Sequence, residues 1–481
     1  MKLSELLNQV QVLSQTAAPE LEVSGVSCDS RRVKPGDIYV AVRGYQTDGH
    51  RYIPDAVQRG AIAVVCEEAP ETQIPYVLVS DSRAALADLG AAWYRYPARE
   101  MTMIGVTGTN GKTTVTYLLK SVLEQTLGAK VGLIGTIQNM IGGEVLETER
   151  TTPESVEVQA LLRRMADAGC THVVMEVSSH ALVLQRVRNI GFRLGIFTNL
   201  TQDHLDFHGT MEEYRKAKAL LFQNCEIGLL NADDAATEKI RASAKCPCSC
   251  YGLRTSAELM AKDPAYAADS VSFTAVEGES EADVRLEIPG TFSVYNALSV
   301  IAGARALGIS LEACAEALRQ ARGVKGRVEV VPTPGKDYTV LIDYAHTPDG
   351  LENVLSSIKK VCKGRLIAVF GCGGDRDATK RPIMGEIGVR FADLVVFTSD
   401  NPRTEDPHEI LRQVVAGADG SQTPYEVIEN RRAAIRRAMD LAQKDDVIVL
   451  AGKGHETYQI LGTEKTHLDE REEVAAHLNG K

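Results

Sequence analysis

The chain has 481 residues, 44% of them hydrophobic and 24% charged, and a formal net charge of −11. The acidic balance argues against a nucleic-acid surface, which needs clustered Lys and Arg, but leaves room for a local anion site. No apolar run approaches the ~18 residues that span a bilayer, and the start at Met1 to Leu7 lacks the apolar stretch of a secretory signal. A cytoplasmic protein is expected, monomeric and engaging neither membrane nor nucleic acid.

The length predicts about three domains. The first block covers residues 1–98. Apolar runs at 36–42, 61–65 and 76–79, bounded by Gly, Pro and Asp, read as strands, with helices at 52–59 and 82–94. Pro97 and its charged neighbours suggest a linker. The second block, 99–322, opens with a strand at 101–106, a Gly-rich loop and a helix at 113–127. Strands follow at 131–134, 172–177 and 194–197, and a helix at 293–307 closes the block. Strands alternating with helices imply a mostly parallel sheet covered on both faces. The third block, 323–481, repeats the alternation with strands at 340–343, 366–370, 394–397 and 447–450. The expected fold class is therefore α/β in three domains. Ten cysteines are too sparse for a disulfide scaffold. Cys246, Cys248 and Cys250 lack partners to complete a zinc set, so they read as reduced thiols on a loop before a strand.

The loop Gly108-Thr109-Asn110-Gly111-Lys112-Thr113-Thr114 carries the first chemical signal. A strand, a Gly-rich loop and a helix N-terminus present backbone N–H groups to a triphosphate. Gly108 and Gly111 allow close backbone approach, Lys112 would neutralise the β- and γ-phosphates, and the Thr113 hydroxyl would bind Mg²⁺. Val106 stands where the usual pattern has its first Gly. Polar groups then gather at strand ends, where open α/β sheets bind ligands. Glu176 ends one strand and His204 follows another; both suit a Mg²⁺ site beside ATP, though either would also fit a strand end or a helix cap. Lys216 and Lys218 share a helix, and their spacing alone reads as solvated lysines.

At this point the residues resemble the Mur ligases. The resemblance rests on the phosphate loop, Met175-Glu176-Val177-Ser178-Ser179-His180, residues Asn199 to Asp206, Asp343-Tyr344-Ala345-His346-Thr347-Pro348 and Gly452-Lys453-Gly454-His455-Glu456, and it spans the chain. It implies a small α/β UDP-binding domain, a central ATPase-like parallel-sheet domain with the P-loop, and a C-terminal Rossmann-like domain that binds an amino acid. It also implies the activity: ATP phosphorylates the D-glutamate carboxylate of UDP-N-acetylmuramoyl-L-alanyl-D-glutamate, and the amine of a diamino acid attacks the acyl phosphate. Lys112, Lys218 and His204 are then the catalytic candidates. Lys218 resembles a carbamylated lysine that holds Mg²⁺ with His204, Glu176 and Thr113. Asn296, Arg327, Asp343 and His346 resemble residues that hold ATP from the far side. Cys28, Ser30, Tyr45, Gln46 and Thr47 resemble the uridine diphosphate contacts, and Thr151, Thr152, Ser178 and Arg186 those of the muramoyl dipeptide. Gln185, directly before Arg186, resembles a displaced family glutamine.

The tetrad Asp400-Asn401-Pro402-Arg403 resembles the form that accepts meso-diaminopimelate. That substrate has a second carboxylate, and Arg403 offers it a planar bidentate donor. Arg376, Gly452 and Glu456 resemble the rest of the pocket, with Glu456 able to hold the distal ammonium. The alternatives are the same ligase adding L-lysine or another diamino acid, another ligase of the superfamily such as a folylpolyglutamate synthetase, and a nucleotide switch that uses the loop without ligation.

Overall fold

The computed structural model describes residues 1–480 apart from Tyr45, Gln46, Glu149 and Arg322. Two residues expected at the uridine diphosphate, Tyr45 and Gln46, therefore lie outside the described residues.

Three sheets follow one another along the chain. The first contains β1 (Val12–Gln15), β2 (Gly25–Ser27), β3 (Asp37–Val40), β4 (Ala63–Cys66) and β5 (Tyr76–Val79), in the order β1-β5-β4-β3-β2. Only the β1–β5 pair is antiparallel. The central sheet has eleven strands: β6 (Thr102–Thr107), β7 (Val131–Ile134), β8 (Asn139–Ile141), β9 (Glu144–Leu146), β10 (His172–Glu176), β11 (Phe192–Phe197), β12 (Cys225–Asn231), β13 (Cys248–Gly252), β14 (Leu259–Tyr266), β15 (Val271–Glu277) and β16 (Ser280–Leu286). Their order is β16-β15-β14-β13-β12-β11-β6-β10-β7-β8-β9. The stretch from β14 to β7 is parallel and both ends are antiparallel. The third sheet holds β17 (Glu329–Val331), β18 (Thr339–Asp343), β19 (Leu366–Phe370), β20 (Leu394–Phe397), β21 (Tyr425–Val427) and β22 (Val447–Ala451), ordered β17-β18-β22-β19-β20-β21 and parallel except at β17. A hairpin of β23 (Tyr458–Leu461) and β24 (Glu464–His467) follows. The α/β expectation holds in all three.

The inner strands are continuous apolar runs because helices cover both faces. β19 and β22 are buried along their whole length. One apolar cluster runs from Ile104 and Val106 on β6, through Leu298 in the helix Thr291–Ala306, to Leu341, Leu351 and Phe370 beside the third sheet. The first sheet has its own cluster around Leu6, Ile38, Val65 and Leu89. Polar pairs join it to the central domain: Gln185 Nε2 donates to Asp81 Oδ2 at 2.7 Å, and Arg188 Nε and Asn189 Nδ2 donate to Asp88 Oδ1 at 2.8 and 2.7 Å.

Three expectations need correction. Cys248 and Cys250 lie within β13 rather than on a loop ahead of it, and the Cys246 sulfur packs 3.4 Å from that of Cys225. Residues Pro97–Glu100 form a 3-10 turn with Pro97 and Ala98 buried, so this segment is packed rather than a solvated linker. The helix ending at Ala306 does not close the central unit, because the helix Leu311–Gln320 follows and lays its apolar face on β16. No helix among the described residues is long and apolar enough to cross a membrane.

Candidate active site

Parallel strands β6, β10 and β11 are neighbours, so their C-terminal ends converge and their loops share one floor. The loop after β6 turns at Gly111, with φ +85°. A Cβ there would sit 2.6 Å from Asn296 Oδ1, so glycine permits both the backbone angle and the approach of Asn296. The helix Lys112–Leu127 begins immediately, directing its unpaired N–H groups at the loop. Lys112 Nζ donates to the carbonyls of Gly108 and Thr109 at 2.9 and 2.8 Å. Burial lowers its pKa; Arg327 pushes the same way and Glu176 opposes. Asn110 is held by Asn199 Oδ1, which accepts from its N–H at 2.8 Å, and its carbonyl accepts from the Thr198 hydroxyl at 2.6 Å.

Glu176 ends β10 and is fully buried. Its carboxylate accepts from the Thr113 hydroxyl at 3.1 Å and from the N–H and hydroxyl of Thr136 at 2.8 and 3.0 Å. These are hard oxygen groups, the kind that suits Mg²⁺. His204 stands at the N-cap of the helix Leu205–His208 in a left-handed conformation, φ +52°, but its side chain caps nothing. Its ring meets His180 edge-on, with centroids 4.9 Å apart. Burial first, then His204 and His208, hold His180 down at about 4. Among the described residues no three His, Cys, Asp or Glu side chains form a metal-binding group.

Lys216 and Lys218 part company. Lys216 is exposed and paired with Glu213 at 2.8 Å. Lys218 is 1% exposed, and its Nζ lies 4.2 Å from the centre of the Tyr214 ring. No carboxylate pairs with it among the described residues. Burial, followed by the charge of Lys112, pushes its pKa well below the usual lysine range. A neutral amine is nucleophilic toward carbon dioxide, so a carbamate fits this position chemically.

The opposite wall comes from the third domain. Arg327 places its guanidinium 5.0 Å from the Tyr344 ring centre, and its buried Nε has no hydrogen-bond partner among the described residues. An unsatisfied buried cationic group beside Lys112 fits an anionic ligand. Asp343 accepts from the N–H groups of Val328 and Ala345, both at 2.8 Å, and so also shapes its own loop. His346 Nδ1–H donates to the Tyr344 carbonyl at 2.8 Å. Between the walls lies a cavity of about 660 Å³ lined by Gly108 to Thr114, Thr151, Glu176, Ser178, His204, Lys218, Asn296, Arg327, Asp343 and His346. The sequence-derived ATP and metal candidates therefore share one space.

The other described candidates in the first two domains lie outside its lining. Thr152 donates its hydroxyl to the Glu176 carbonyl at 2.9 Å and lies 3.4 Å from Ser178 Oγ. Arg186 donates to the Thr152 carbonyl at 3.2 Å and pairs with Glu154 at 2.5 Å. Gln185 instead ties the first two domains together through Asp81. Ser30 is buried in the first domain, and Cys28 is pushed up to about 11 by burial and then by Glu154 and Glu157 of the central domain. The Thr47 hydroxyl lies 3.2 Å from Tyr52 Oη.

The tetrad Asp400 to Arg403 sits beyond β20 and outside the cavity lining, with Tyr344 between them. Arg403 has φ +50° and donates to the Gly374 carbonyl at 2.8 Å. Arg376 is exposed, with a donor on the Asp375 carbonyl at 2.9 Å. Gly452, φ +110°, lets Asp400 pack where a Cβ would be 3.2 Å from its Oδ2. Glu456 accepts from Asn401 Nδ2 at 3.0 Å.

Sequence reasoning gave no role to Thr136, Tyr214, Asp349 or Lys453. Lys453 stands inside a quoted motif, and Asp349 follows one directly. Thr136 and Tyr214 gave no local signal, since their roles arise only from folding.

The family models match in chain order. The Mur ligase family, catalytic domain, matches residues 22–94; the Mur ligase middle domain matches 106–304; and the Mur ligase, glutamate ligase domain, matches 326–454. A protein of Caldanaerobacter subterraneus subsp. tengcongensis named UDP-N-acetylmuramoyl-L-alanyl-D-glutamate--2,6-diaminopimelate ligase is 49% identical over 459 residues, covering 95% of each chain. One of the same name, numbered 1, from Clostridium acetobutylicum is 47% identical over 482 residues, covering 99% of each. A solved structure titled as that ligase superposes with a TM-score of 0.74 at 31% identity, covering 100% of this chain and 99% of that one. The chain belongs to the Mur ligase family of ATP-dependent peptide synthases.

Proposed function

We propose that the protein joins meso-2,6-diaminopimelate to UDP-N-acetylmuramoyl-L-alanyl-D-glutamate, consuming ATP, in the cytoplasmic assembly of peptidoglycan precursors. The observation that carries this reading is the two-walled cavity. The loop Gly108 to Thr114 faces Arg327, whose buried Nε lacks a partner, across the domain boundary. Relatives 49% and 47% identical along nearly the whole chain bear that ligase's name.

In this reading residues 1–98 hold the UDP-sugar through Cys28, Ser30 and Tyr45 to Thr47. Residues 99–322 hold ATP and the dipeptide, and residues 323–481 hold the incoming amino acid. Lys112 swings from its loop carbonyls onto the triphosphate, and Arg327 offsets charge from the far side. The γ-phosphoryl passes to the D-glutamate carboxylate, giving an acyl phosphate and ADP. The amine nitrogen attacks the acyl carbon, and the tetrahedral intermediate loses phosphate to leave the amide. Such chemistry rests on positioning and charge stabilisation.

Glu176, His204 and Thr113 would hold Mg²⁺, with Lys218 supplying oxygen donors as a carbamate. Bound there, Mg²⁺ supplies charge neutralisation at the phosphates. The carbamate forms when the Nζ lone pair bonds to the carbon of carbon dioxide and the amine proton leaves to solvent. The buried, unpaired state of Lys218 supports this role.

The test is ADP release assayed with each substrate omitted in turn. Release that needs both the UDP-linked dipeptide and diaminopimelate is expected. Equal turnover with L-lysine would overturn the amino-acid assignment, and release without any amine would point to a nucleotide switch.

A further inference from the structure

One buried cation in the third domain has no part in the mechanism above. Lys453 is 0% exposed. Its Nζ donates to Glu456 Oε2 at 2.9 Å and to Asn401 Oδ1 at 3.2 Å, and lies 3.4 Å from Asp400 Oδ1. The cluster is tied further. Asn401 Nδ2 donates to the same Glu456 oxygen at 3.0 Å, Asn401 Oδ1 accepts from the Ile460 N–H at 2.9 Å, and Gln459 Nε2 donates to the Asp400 carbonyl at 2.6 Å. A fully buried ammonium is costly unless paired, and here it is paired with three residues assigned to the amino-acid pocket.

We propose that Lys453 is the positioning residue of the amino-acid pocket and sets its preference for a substrate end that carries an ammonium and a carboxylate together. The proposal rests on the reading of Asp400 to Arg403 and Glu456 as the diaminopimelate pocket. Two acids, Asp400 and Glu456, and two bases, Lys453 and Arg403, gather around Tyr458, so this set is neutral; Asp375 beside Arg403 and Lys465 over the Tyr458 ring are exposed and screened by solvent. Arg376 is exposed and its charge is screened by solvent. The distal end of diaminopimelate is zwitterionic and leaves that balance intact. The distal end of L-lysine is a bare ammonium and leaves one charge uncompensated. Without Lys453 the set carries one net negative charge, which suits the lysine end instead. Lys453 also holds Oε2 of Glu456, leaving Oε1 to receive the substrate ammonium.

The experiment uses the full chain with ATP, the UDP-linked dipeptide and either amine. Wild-type protein is measured first. No amine-dependent turnover, or equal turnover with both amines, sinks the pocket reading before Lys453 is touched. Given a wild-type preference for diaminopimelate, Lys453→Met should raise KM for diaminopimelate about a hundredfold. It should lower the ratio of kcat/KM for diaminopimelate over L-lysine at least about tenfold. KM for ATP should hold, and Lys453→Arg, which keeps the charge, should restore the ratio. An unchanged ratio, or a rise in all three KM values together, overturns the proposal. In a Glu456→Gln background the effect of Lys453→Met should shrink, because the two act as one unit; full additivity overturns it. If Lys453→Met alone does not fold, the double variant should fold, since the acid nearer the lost ammonium, Glu456 at 2.9 Å against 3.4 Å for Asp400, is no longer stranded, and should match Glu456→Gln in amine preference. A double variant that also fails to fold assigns Lys453 to packing and overturns the proposal.

Discussion

Asn110 Nδ2 donates to Asp349 Oδ2 at 3.1 Å across 239 positions of sequence, and the Thr201 hydroxyl donates to the same oxygen at 3.1 Å. One carboxylate of the third domain thus touches both the phosphate loop and the loop beyond β11. Its helix, Pro348–Lys359, lines the same cavity as Arg327 and Asp343.

Asp349→Ala should therefore loosen the approach of the two walls while leaving each domain intact. The bonds are partly exposed, so the stability cost should be only about 1 kcal/mol. KM for ATP should rise several-fold with little change in the melting midpoint, checked by ATP titration and a thermal scan. A fall in melting midpoint with unchanged KM would assign Asp349 to fold stability alone.

Gly111→Ala should abolish ATP-dependent turnover. The residue sits at φ +85°, and the added Cβ would lie 2.6 Å from Asn296 Oδ1. A left-handed alanine costs about 1–2 kcal/mol before that clash is counted. Nucleotide binding followed by calorimetry is the check, and a wild-type Kd would refute the claim that the loop and Asn296 must touch.

Lys218→Ala should reduce amide formation at least about a hundredfold, by the scale on which metal-site residues act. Wild-type protein equilibrated with ¹³C-bicarbonate should show a carbamate signal that this variant lacks. A signal that persists in the variant would place the carbamate elsewhere.

His455 should make the fold sensitive to acid. Burial, then Arg327 and Arg471, hold it at about 4, below the ordinary 6.5. Between those values the unfolded chain binds a proton that the native state refuses, so stability rises with pH across that window and falls as pH drops through it. His455→Gln should remove up to about 3 kcal/mol of that dependence. Urea melts at pH 6.5 and 4.5 provide the measurement; identical slopes in variant and wild type would count against it.

Arg403→Ala should raise KM for diaminopimelate about a hundredfold while KM for ATP stays near its starting value. Comparable rises in both would show that Arg403 shapes the domain rather than the substrate.

The fold was legible where burial on both faces forces an unbroken apolar run, as in β7, β19 and β20, whose ends agree with the expected residues. It was not legible at β14 to β16. These strands face water on one side, so Val271, Phe273 and Ala275 alternate with polar residues, and Lys262, Asp263 and Pro264 break the pattern of β14. Of the site, the phosphate loop could be read because its chemistry is contiguous. Lys218 could not be read from spacing, since its burial without a carboxylate ion pair exists only after folding. Asp349 escaped because its partners Asn110 and Thr201 lie far off in the chain, and Lys453 because two of its three, Asp400 and Asn401, do.

The first domain is fastened to the central one by Asp81 and Asp88 reaching Gln185, Arg188 and Asn189, and by Arg32 pairing with Glu157 at 3.0 Å. The apolar contact across that boundary is slight, Val156 packing partly buried against the first domain's cluster, whereas one continuous buried cluster joins the other two domains. Polar fastenings can be exchanged a pair at a time without refilling a core. The seam before the phosphate loop is thus where a foreign recognition head could be grafted, leaving the bond-forming machinery undisturbed.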